Sequence, residues 1–210
     1  MIKKLVLIMA VSAAFLTGCG ADDSADPDPA PNASATPEKP VELQSAELQS
    51  LWWTWAALPS KVNPVQDTTG ARCGQRQPAK VWLVAGSFGS TVRRRCTVPD
   101  DRPIAGPVVN LAAPTVADCR AFNASAKGTV MLDGKKVAVT TVKPVGFEFT
   151  AQAGNPSGYE AGRLKAVGCG LWFTVPPLAA GKHTLVIRGT SGDFSVAATY
   201  DLISTVAKDV

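Results

Sequence analysis

Five cysteines and a single histidine are the residues whose side chains could do the most chemistry in this chain of 210 residues. Thiols and imidazoles bind zinc, serve as nucleophiles and bases, and form disulfides. No two cysteines stand in a C-x-x-C spacing and the histidine is distant, so we expect no metal site. His183 follows Gly181 in a predicted turn, where we expect an exposed or strand-edge role rather than a catalytic base.

The other groups that catalysis requires are not arranged as known sites demand. Gly86-Ser87-Phe88-Gly89 lacks one residue of the G-x-S-x-G elbow. Asp67, Asp118, Glu148 and Glu160 are acids of the type that hydrolyse glycosides, but their spacing singles out no pair. We therefore predict a non-catalytic protein without a cofactor, and keep a carbohydrate-active enzyme as a less favoured alternative.

The N-terminal segment has the parts of an export signal. Lys3 and Lys4 give a charged start, residues 5–16 are apolar, and the small residues Thr17 and Gly18 precede Cys19. The apolar stretch is shorter than the roughly 20 residues of a membrane-spanning helix. We predict a signal peptide over residues 1–18. Cys19 is either part of what the signal specifies or, as the alternative, incidental to an ordinary secretory signal.

Leu16-Thr17-Gly18-Cys19 resembles the lipobox of bacterial lipoproteins. The resemblance implies that Cys19 is the first mature residue and carries a diacylglyceryl group, so that membrane lipid is a partner. Two or three acyl chains, such as palmitate, make the attachment stable. Gly20 is not the aspartate that retains lipoproteins at the inner membrane. The implied location is therefore the outer membrane in a Gram-negative host, and the outer face of the plasma membrane in a Gram-positive one.

Residues 19–40 are predicted to form the lipidated cysteine and a disordered tether. The stretch is rich in Ala, Pro and Asp and has no large apolar residue, so it cannot offset the entropy of ordering. Its 21 residues after Cys19 could extend to about 65 Å as polyproline II. The tether has a net charge of −4, whereas residues 41–210 hold 18 basic and 12 acidic residues, a net charge of +6.

The remaining four cysteines are Cys73, Cys96, Cys119 and Cys169. An even number in an exported chain predicts two disulfides, for which three pairings are possible. We favour Cys73 with Cys96, which bracket a hairpin-like segment. Cys119 with Cys169 would then attach a loop to the C-terminal half.

One helix is predicted near the start of the folded part. Leu48, Leu51, Trp52, Trp55 and Leu58 recur at the spacing of a single helical face. A serine at position 45 is a plausible N-cap, and a proline at position 59 ends the helix. We expect this face to pack on a sheet; the alternative is a sugar-stacking platform that includes Trp53.

Short apolar or alternating segments separated by turn residues predict a single all-β domain over residues 41–210. Asp133-Gly134 between two such segments predicts a β-hairpin. The expected fold is an immunoglobulin-like β-sandwich with one N-terminal helix packed on it. The predicted strands cover residues 80–85, 91–98, 108–111, 128–132, 136–142, 146–151, 170–175, 183–187 and 194–203.

Several motifs resemble an uncharacterised family of exported bacterial proteins, and the C-terminal ones also resemble the last strands of immunoglobulin-like domains. The resemblance covers most of residues 52–206 and implies no activity. The motifs are W-x-W ending at Trp55, N-P-V-x-D-x-T-G-x-x-C from Asn63 to Cys73, R-x-C-x-V-P from Arg94 to Pro99, and P-L-x-x-G-x-H from Pro177 to His183.

Arg93, Arg94 and Arg95 form the only run of three basic residues. No aromatic residues alternate with them to stack bases, so we do not expect nucleic-acid binding. A charged, solvated strand edge is the favoured interpretation. The alternative is electrostatic adhesion to anionic lipid headgroups, lipopolysaccharide or cell-wall polymers.

The function that we predict is a non-catalytic binding or adhesion module, held at an envelope surface and facing an envelope polysaccharide or a protein. Trp53, Tyr159, Trp172 and the basic run are the candidate contacts. The alternative is a peptidase inhibitor, because Gly154-Asn155-Pro156-Ser157-Gly158-Tyr159 resembles the Asn-Pro loop of chagasin-like inhibitors.

Overall fold

The computed structural model describes residues 46–207, which form a mainly β protein with two sheets, consistent with a β-sandwich. The helices are α1 (Ala46–Ala56) and α2 (Val116–Ser125), and a 3-10 turn covers Ser60–Val62. The strands are β1 (Trp82–Leu83), β2 (Thr91–Pro99), β3 (Ile104–Ala113), β4 (Lys127–Leu132), β5 (Lys135–Val137), β6 (Thr140–Ala151), β7 (Gly162–Val175), β8 (Gly181–Ser191) and β9 (Phe194–Thr205).

Several predictions fall on residues outside the described range. They are the signal peptide over residues 1–18, the lipidated Cys19, the tether over residues 19–40 and the N-cap at position 45. Neither described helix is long and apolar enough to cross a membrane.

Four strands form one sheet in the order β1-β3-β7-β6, and five form the other in the order β2-β9-β8-β4-β5. Pairing within the described sheets is antiparallel, except that β1 runs parallel to β3 and β2 parallel to β9. Strand β2, with the three arginines, therefore lies at an edge of the five-stranded sheet.

The predicted hairpin is present between β4 and β5. Leu132 pairs with Lys135, and Asp133 and Gly134 connect them with φ angles of 51° and 76°. Two successive positive φ angles are typical of the tight turn that matches strand twist, and Asp-Gly favours it. All nine predicted strand segments overlap observed strands, and β6 joins the end of one predicted segment to the next.

The core between the sheets follows from alternation along the strands. In β2, every second residue from Val92 to Val98 is buried, and the residues between them are exposed. Ile187 and Leu202 of the five-stranded sheet share this core with Phe173 of the four-stranded sheet. Burial of this kind is the main favourable contribution to folding.

Helix α1 packs on the four-stranded sheet. Leu48, Trp52 and Trp55 are at most 4% exposed and share a second buried cluster with Trp172 of β7. Trp172 and Phe173 are successive residues in different clusters, so α1 and the sandwich core lie on opposite faces of this sheet.

Helix α2 was not expected from the sequence, and the prediction of one helix is wrong on this point. Thr115 caps α2 by accepting a hydrogen bond from the Asp118 amide, and Cys119 is its only fully buried residue. The helix therefore has no apolar stripe that would reveal it by periodicity. Its disulfide to Cys169 of β7 provides the attachment.

Gln49 is fully buried in α1, and neither atom of its amide has a hydrogen-bond partner within residues 46–207. Gln49→Met keeps the length of the side chain and removes both polar atoms. We expect the free energy of unfolding to rise by about 1–3 kcal/mol, because an unpaired buried amide costs that much. Urea denaturation followed by tryptophan fluorescence measures the change. The exposed Gln66 provides the control variant Gln66→Met, and a less stable Gln49→Met would contradict the prediction.

Candidate functional site

Three of the predicted contact residues are buried. Trp172 is 0%, Arg94 1% and Trp53 9% exposed. The prediction that Trp172 and Arg94 contact a ligand at the surface is therefore wrong. Trp53 packs edge-on against Trp52 and Tyr159, with ring centroids 5.0 and 6.2 Å apart, so the exposed sugar-stacking platform is contradicted too. The aromatic rings of α1 are used to bury apolar surface.

Arg94 is a structural residue of the core edge. Its guanidinium donates to the carbonyl oxygens of Val65 at 2.7 Å, Asp67 at 2.6 Å, Ala85 at 2.9 Å and Gly86 at 2.8 Å. A further hydrogen bond of 2.7 Å goes to the Tyr200 hydroxyl, which itself donates to Ala85. The planar fork of donors suits an array of carbonyls that a lysine could not satisfy together.

The loop that binds Arg94 is the N-P-V-x-D-x-T-G-x-x-C motif, and Arg94 itself belongs to the R-x-C-x-V-P motif. Asn63 holds the first loop in shape, because its amide nitrogen donates to Ala56 and Leu58 and its oxygen accepts from Val65 and Gln66. Two segments distant in sequence thus meet, one providing carbonyls and the other the arginine.

Asp67 and Gly70 shape the same loop. Burial opposes ionisation of the Asp67 carboxylate, but hydrogen bonds from Thr69 and Arg72 outweigh it and lower the pKa of Asp67. Gly70 has a φ of 96°, and a Cβ there would lie 2.3 Å from the carbonyl oxygen of Arg95. Only glycine fits this approach.

Both predicted disulfides are present with the favoured pairing. Cys73 in the loop is bonded to Cys96 of β2, and Cys119 of α2 to Cys169 of β7, with Cα separations of 5.8 and 5.7 Å. Each bond attaches a non-strand segment to a strand.

Arg93 and Arg95 are exposed on β2, on the side opposite to Arg94. Arg93 forms two hydrogen bonds to the Asp201 carboxylate, at 2.8 and 2.7 Å. The expectation of a charged strand edge is confirmed for these two arginines. Charge at this position also protects the edge from pairing with another strand.

The register places further cations on the same outward face. Arg95 pairs with Asp201, which pairs with Thr184; Lys182 lies one position further along this face of β8. Within the described residues, this outward face bears one carboxylate, that of Asp201. We call the six exposed basic side chains the basic face: Arg93, Arg95, Lys127, Lys136, Lys182 and Arg188.

Two grooves lie on the basic face. One of about 420 Å³ is lined by Arg93, Arg95 and Lys182. The other, of about 250 Å³, is lined by Lys127 and Arg188 together with threonines. Both grooves offer cationic and hydroxyl donors, the groups that bind phosphate, sulfate or carboxylate oxygens.

His183 lies near the start of β8, and its side chain contacts the turn between β4 and β5. Its Nδ1 lies 2.7 Å from the Asp133 carboxylate and its Nε2 lies 2.8 Å from the carbonyl oxygen of Ala179. The hydrogen bond to Asp133, and then that to Ala179, raise the pKa of His183. The bond from His183, and then that from the Thr184 amide, lower the pKa of Asp133. The exposed or strand-edge role expected for His183 is therefore structural.

This pair predicts a pH-dependent contribution to stability. The raised pKa of His183 means a contribution that is complete below its ordinary value of 6.5 and lost as the pH rises through the folded value. The lowered pKa of Asp133 means a contribution lost only at acidic pH, below its ordinary 3.8. We expect His183→Gln to lower the free energy of unfolding by about 0.5–1 kcal/mol near pH 5 and by less near pH 9. Denaturation at both pH values measures this, and an equal loss at both would contradict it.

Tyr159 and the Asn-Pro loop form a closed turn. The Asn155 side chain donates to the carbonyls of Gln152 and Tyr159 and accepts from the Tyr159 amide. Asn155 is 8% exposed, and burial raises the pKa of Tyr159. The polar groups of Asn155 thus serve the turn itself.

The candidate carboxylates have separate partners. Glu148 forms ion pairs with Arg163 and, at 3.7 Å, with Lys165. Asp118 lies at the N-terminus of α2 and accepts a hydrogen bond from Thr115. In the described part of the chain, no three His, Cys, Asp or Glu side chains come together as metal ligands would.

These features define a mainly β, disulfide-linked protein with one helix-covered sheet and one exposed basic sheet face. Comparisons with protein-family models, curated proteins and solved structures found no match. The resemblance of the motifs to an exported bacterial family stays a prediction.

Proposed function

We propose that the protein is a lipid-anchored, non-catalytic binding module of the bacterial cell envelope. The signal segment, the lipobox at Cys19 and the acidic tether support export and attachment. Two disulfides are typical of an oxidising compartment, which export provides. The outer membrane, or the outer face of a Gram-positive plasma membrane, is the proposed location.

The proposed ligand is an anionic envelope polysaccharide bound on the basic face. The observation that carries the proposal is the excess of six exposed cations over one carboxylate on one sheet face. Asp201 is already held by Arg93, which leaves most of the positive charge without a carboxylate on this face. Charge of one sign on a surface attracts and retains ligands of the opposite sign.

The dimensions of the basic face favour a polymer over a single ion. Thr190 lies eight positions after Lys182 in β8, which corresponds to about 27 Å, and five strands span about 19 Å. A chain with repeated negative groups can bind several cations of this area at once, and linked contacts multiply affinity. The outward residues of these strands include no aromatic ring that could stack bases, so nucleic acid is disfavoured.

We also infer that the sandwich is of the immunoglobulin-like class. Two sheets with nine strands and mainly antiparallel pairing support this assignment. The disulfides depart from the pattern of antibody domains, because each joins a strand to a loop or helix rather than one sheet to the other.

Charge reversal on the basic face tests the proposed ligand. We expect Lys127→Glu with Arg188→Glu to reduce binding to polygalacturonate and to polyphosphate by at least about tenfold, since two cationic contacts become repulsive. Affinity of the unchanged protein should fall steeply between about 50 and about 200 mM salt, where the Debye length shortens. Isothermal titration calorimetry measures both, with neutral dextran as the uncharged polymer.

The matched control is Lys61→Glu with Lys143→Glu, which changes the net charge by the same amount at exposed positions outside the basic face. Unchanged binding in this control and loss in the first pair would support the proposal. Equal losses in both pairs would indicate attraction by net charge alone and overturn it, as would binding to dextran of similar affinity.

The anchor has its own test. Cys19→Ala should leave the protein in the soluble fraction and abolish incorporation of labelled palmitate. Membrane association of this variant equal to that of the natural protein would contradict the lipoprotein assignment.

A further inference from the structure

One of the two grooves on the basic face is lined by two cations and, within residues 46–207, by no acid. Lys127 of β4 and Arg188 of β8 line this groove, which we call the Lys127–Arg188 groove. Both side chains are exposed, and no hydrogen bond or ion pair joins either of them to another described residue. The groove therefore offers two positive charges that its own lining does not neutralise.

Three hydroxyl side chains stand beside these two cations. Lys127 pairs with Thr190, which pairs with Ser195 across the next strand, and Arg188 pairs with Thr129. All five residues are exposed and lie on the outward face. Neighbouring strands are about 4.8 Å apart and every second residue about 6.8 Å apart, so the five positions occupy an area of about 10 by 7 Å. One anionic group placed there can contact several donors at once.

The charge and the number of donors select among anionic groups. A carboxylate has one negative charge and two oxygens. A phosphate monoester has three strong acceptor oxygens and a charge of about −1.5 to −2 near pH 7. A sulfate ester has as many oxygens but a single charge, and a phosphate diester has a single charge and fewer free oxygens. Two cations with three hydroxyl donors thus match a phosphate monoester best.

The other groove of the basic face has a similar net charge. Besides one histidine, its ionisable lining residues are three cations and the Asp201 carboxylate. Arg93 is bound to Asp201, which leaves Arg95 and Lys182 for a ligand. Lys182 and Arg188 are six positions apart on β8, which corresponds to about 20 Å. A single small phosphate cannot reach both grooves, whereas a polymer with several phosphate groups can.

We propose that the basic face recognises phosphate monoester groups carried by a polysaccharide, and that the Lys127–Arg188 groove holds one of them. This inference rests on the proposed function, because it names the anionic group of the polymer bound there. Lys127 and Arg188 balance the charge of the phosphate, and the hydroxyls of Thr129, Thr190 and Ser195 donate to its oxygens. The interaction is non-covalent.

Dextrans of one chain length that carry phosphate monoester, sulfate ester or carboxymethyl groups test the selection. The full chain is titrated with each polymer by isothermal titration calorimetry, and neutral dextran is the uncharged reference. At pH 7.5 we expect phosphate dextran to bind about tenfold more tightly than carboxymethyl dextran of equal substitution. Sulfate dextran is used at equal and at doubled substitution. The doubled form has the total charge of phosphate dextran, and we expect it to bind more weakly.

The pH provides a readout that is specific for phosphate. Its second pKa is about 6, so a change from pH 7.5 to pH 5 removes most of one charge. We expect affinity for phosphate dextran to fall by about threefold to tenfold and affinity for sulfate dextran to stay within about twofold. Protonation of His183 over the same range would strengthen anion binding, and sulfate dextran reports this contribution by itself.

Valine variants separate the hydroxyl groups from the charges. Thr129→Val with Thr190→Val keeps the shape of both side chains and both cations. It should weaken binding of phosphate dextran by about tenfold and of carboxymethyl dextran by less than about twofold. The matched control is Thr141→Val with Thr150→Val, two exposed threonines of β6 in the other sheet, which should leave both affinities unchanged.

Three outcomes would overturn the inference and leave polyanion binding intact. The first is affinity for sulfate dextran of equal total charge that matches the affinity for phosphate dextran. The second is a preference for phosphate that is the same at pH 5 and pH 7.5. The third is equal behaviour of the two valine pairs. If no charged dextran binds more tightly than neutral dextran, the proposed function fails and the inference fails with it.

Discussion

Arg94→Ala is expected to lower the free energy of unfolding by more than about 4 kcal/mol, because it leaves several buried carbonyl groups without a donor. The guanidinium donates to four carbonyls and to Tyr200, and its carbon lies 5.3 Å from the centre of the Tyr200 ring. Each unpaired buried acceptor costs about 1–3 kcal/mol, and replacement by alanine also leaves a cavity. Chemical denaturation followed by circular dichroism measures the loss.

The neighbouring arginines provide matched controls. Arg93→Ala and Arg95→Ala remove the same side chain from exposed positions of the same strand, so each should change the free energy of unfolding by less than about 1 kcal/mol. Arg94→Lys keeps the charge but cannot reach all five acceptors, and we expect it to be nearly as destabilising as Arg94→Ala. Full stability of Arg94→Lys would show that charge alone matters and contradict the hydrogen-bond argument.

Cys119→Ala with Cys169→Ala is expected to cost about 4 kcal/mol, the second-largest effect. This disulfide closes a loop with a sequence separation of 50 residues, which restricts the unfolded chain. The loop-entropy relation gives about 4 kcal/mol for that length and about 3 kcal/mol for the shorter separation of 23 between Cys73 and Cys96. Differential denaturation of the two double variants, each with its other disulfide intact, measures the order.

Helix α2 gives the Cys119–Cys169 variant a second, local consequence. Cys119 is the only fully buried residue of α2, so loss of the disulfide removes the main tie between this helix and β7. We expect amide hydrogen exchange in α2 to accelerate more than in α1, which has an extensive apolar face. Uniform acceleration across both helices would contradict this local role.

The elements with strong local signals could be predicted from the sequence. Short apolar or alternating segments predicted strands that overlap all nine observed ones, Asp133-Gly134 identified the hairpin, and the spacing of Leu48, Trp52 and Trp55 identified α1 and its buried side. Each signal is local because it depends on backbone geometry, on turn chemistry or on the period of one element.

The site could be predicted only in part. The triple-arginine segment is predicted as a strand edge, but that prediction treats the three residues alike, although Arg94 shares the period of the apolar residues Val92, Cys96 and Val98. Alternation along β2 turns Arg94, the middle residue of the three, away from the side of its neighbours, and the structure shows that the Arg94 side is the buried one. The other members of the basic face are isolated lysines and arginines on separate strands, which only sheet pairing brings together.

By itself, the sequence determined the β class and the presence of disulfides, and it favoured the pairing that the structure contains among the three that were possible. Those features depend on short segments or on residue types, so local physical chemistry suffices. The tertiary structure alone decided that Trp172 is a core residue, that the N-P-V-x-D loop surrounds Arg94, and that one sheet face stays uncovered and basic. These features depend on contacts between residues distant in sequence, which arise only when the sheets pair and pack.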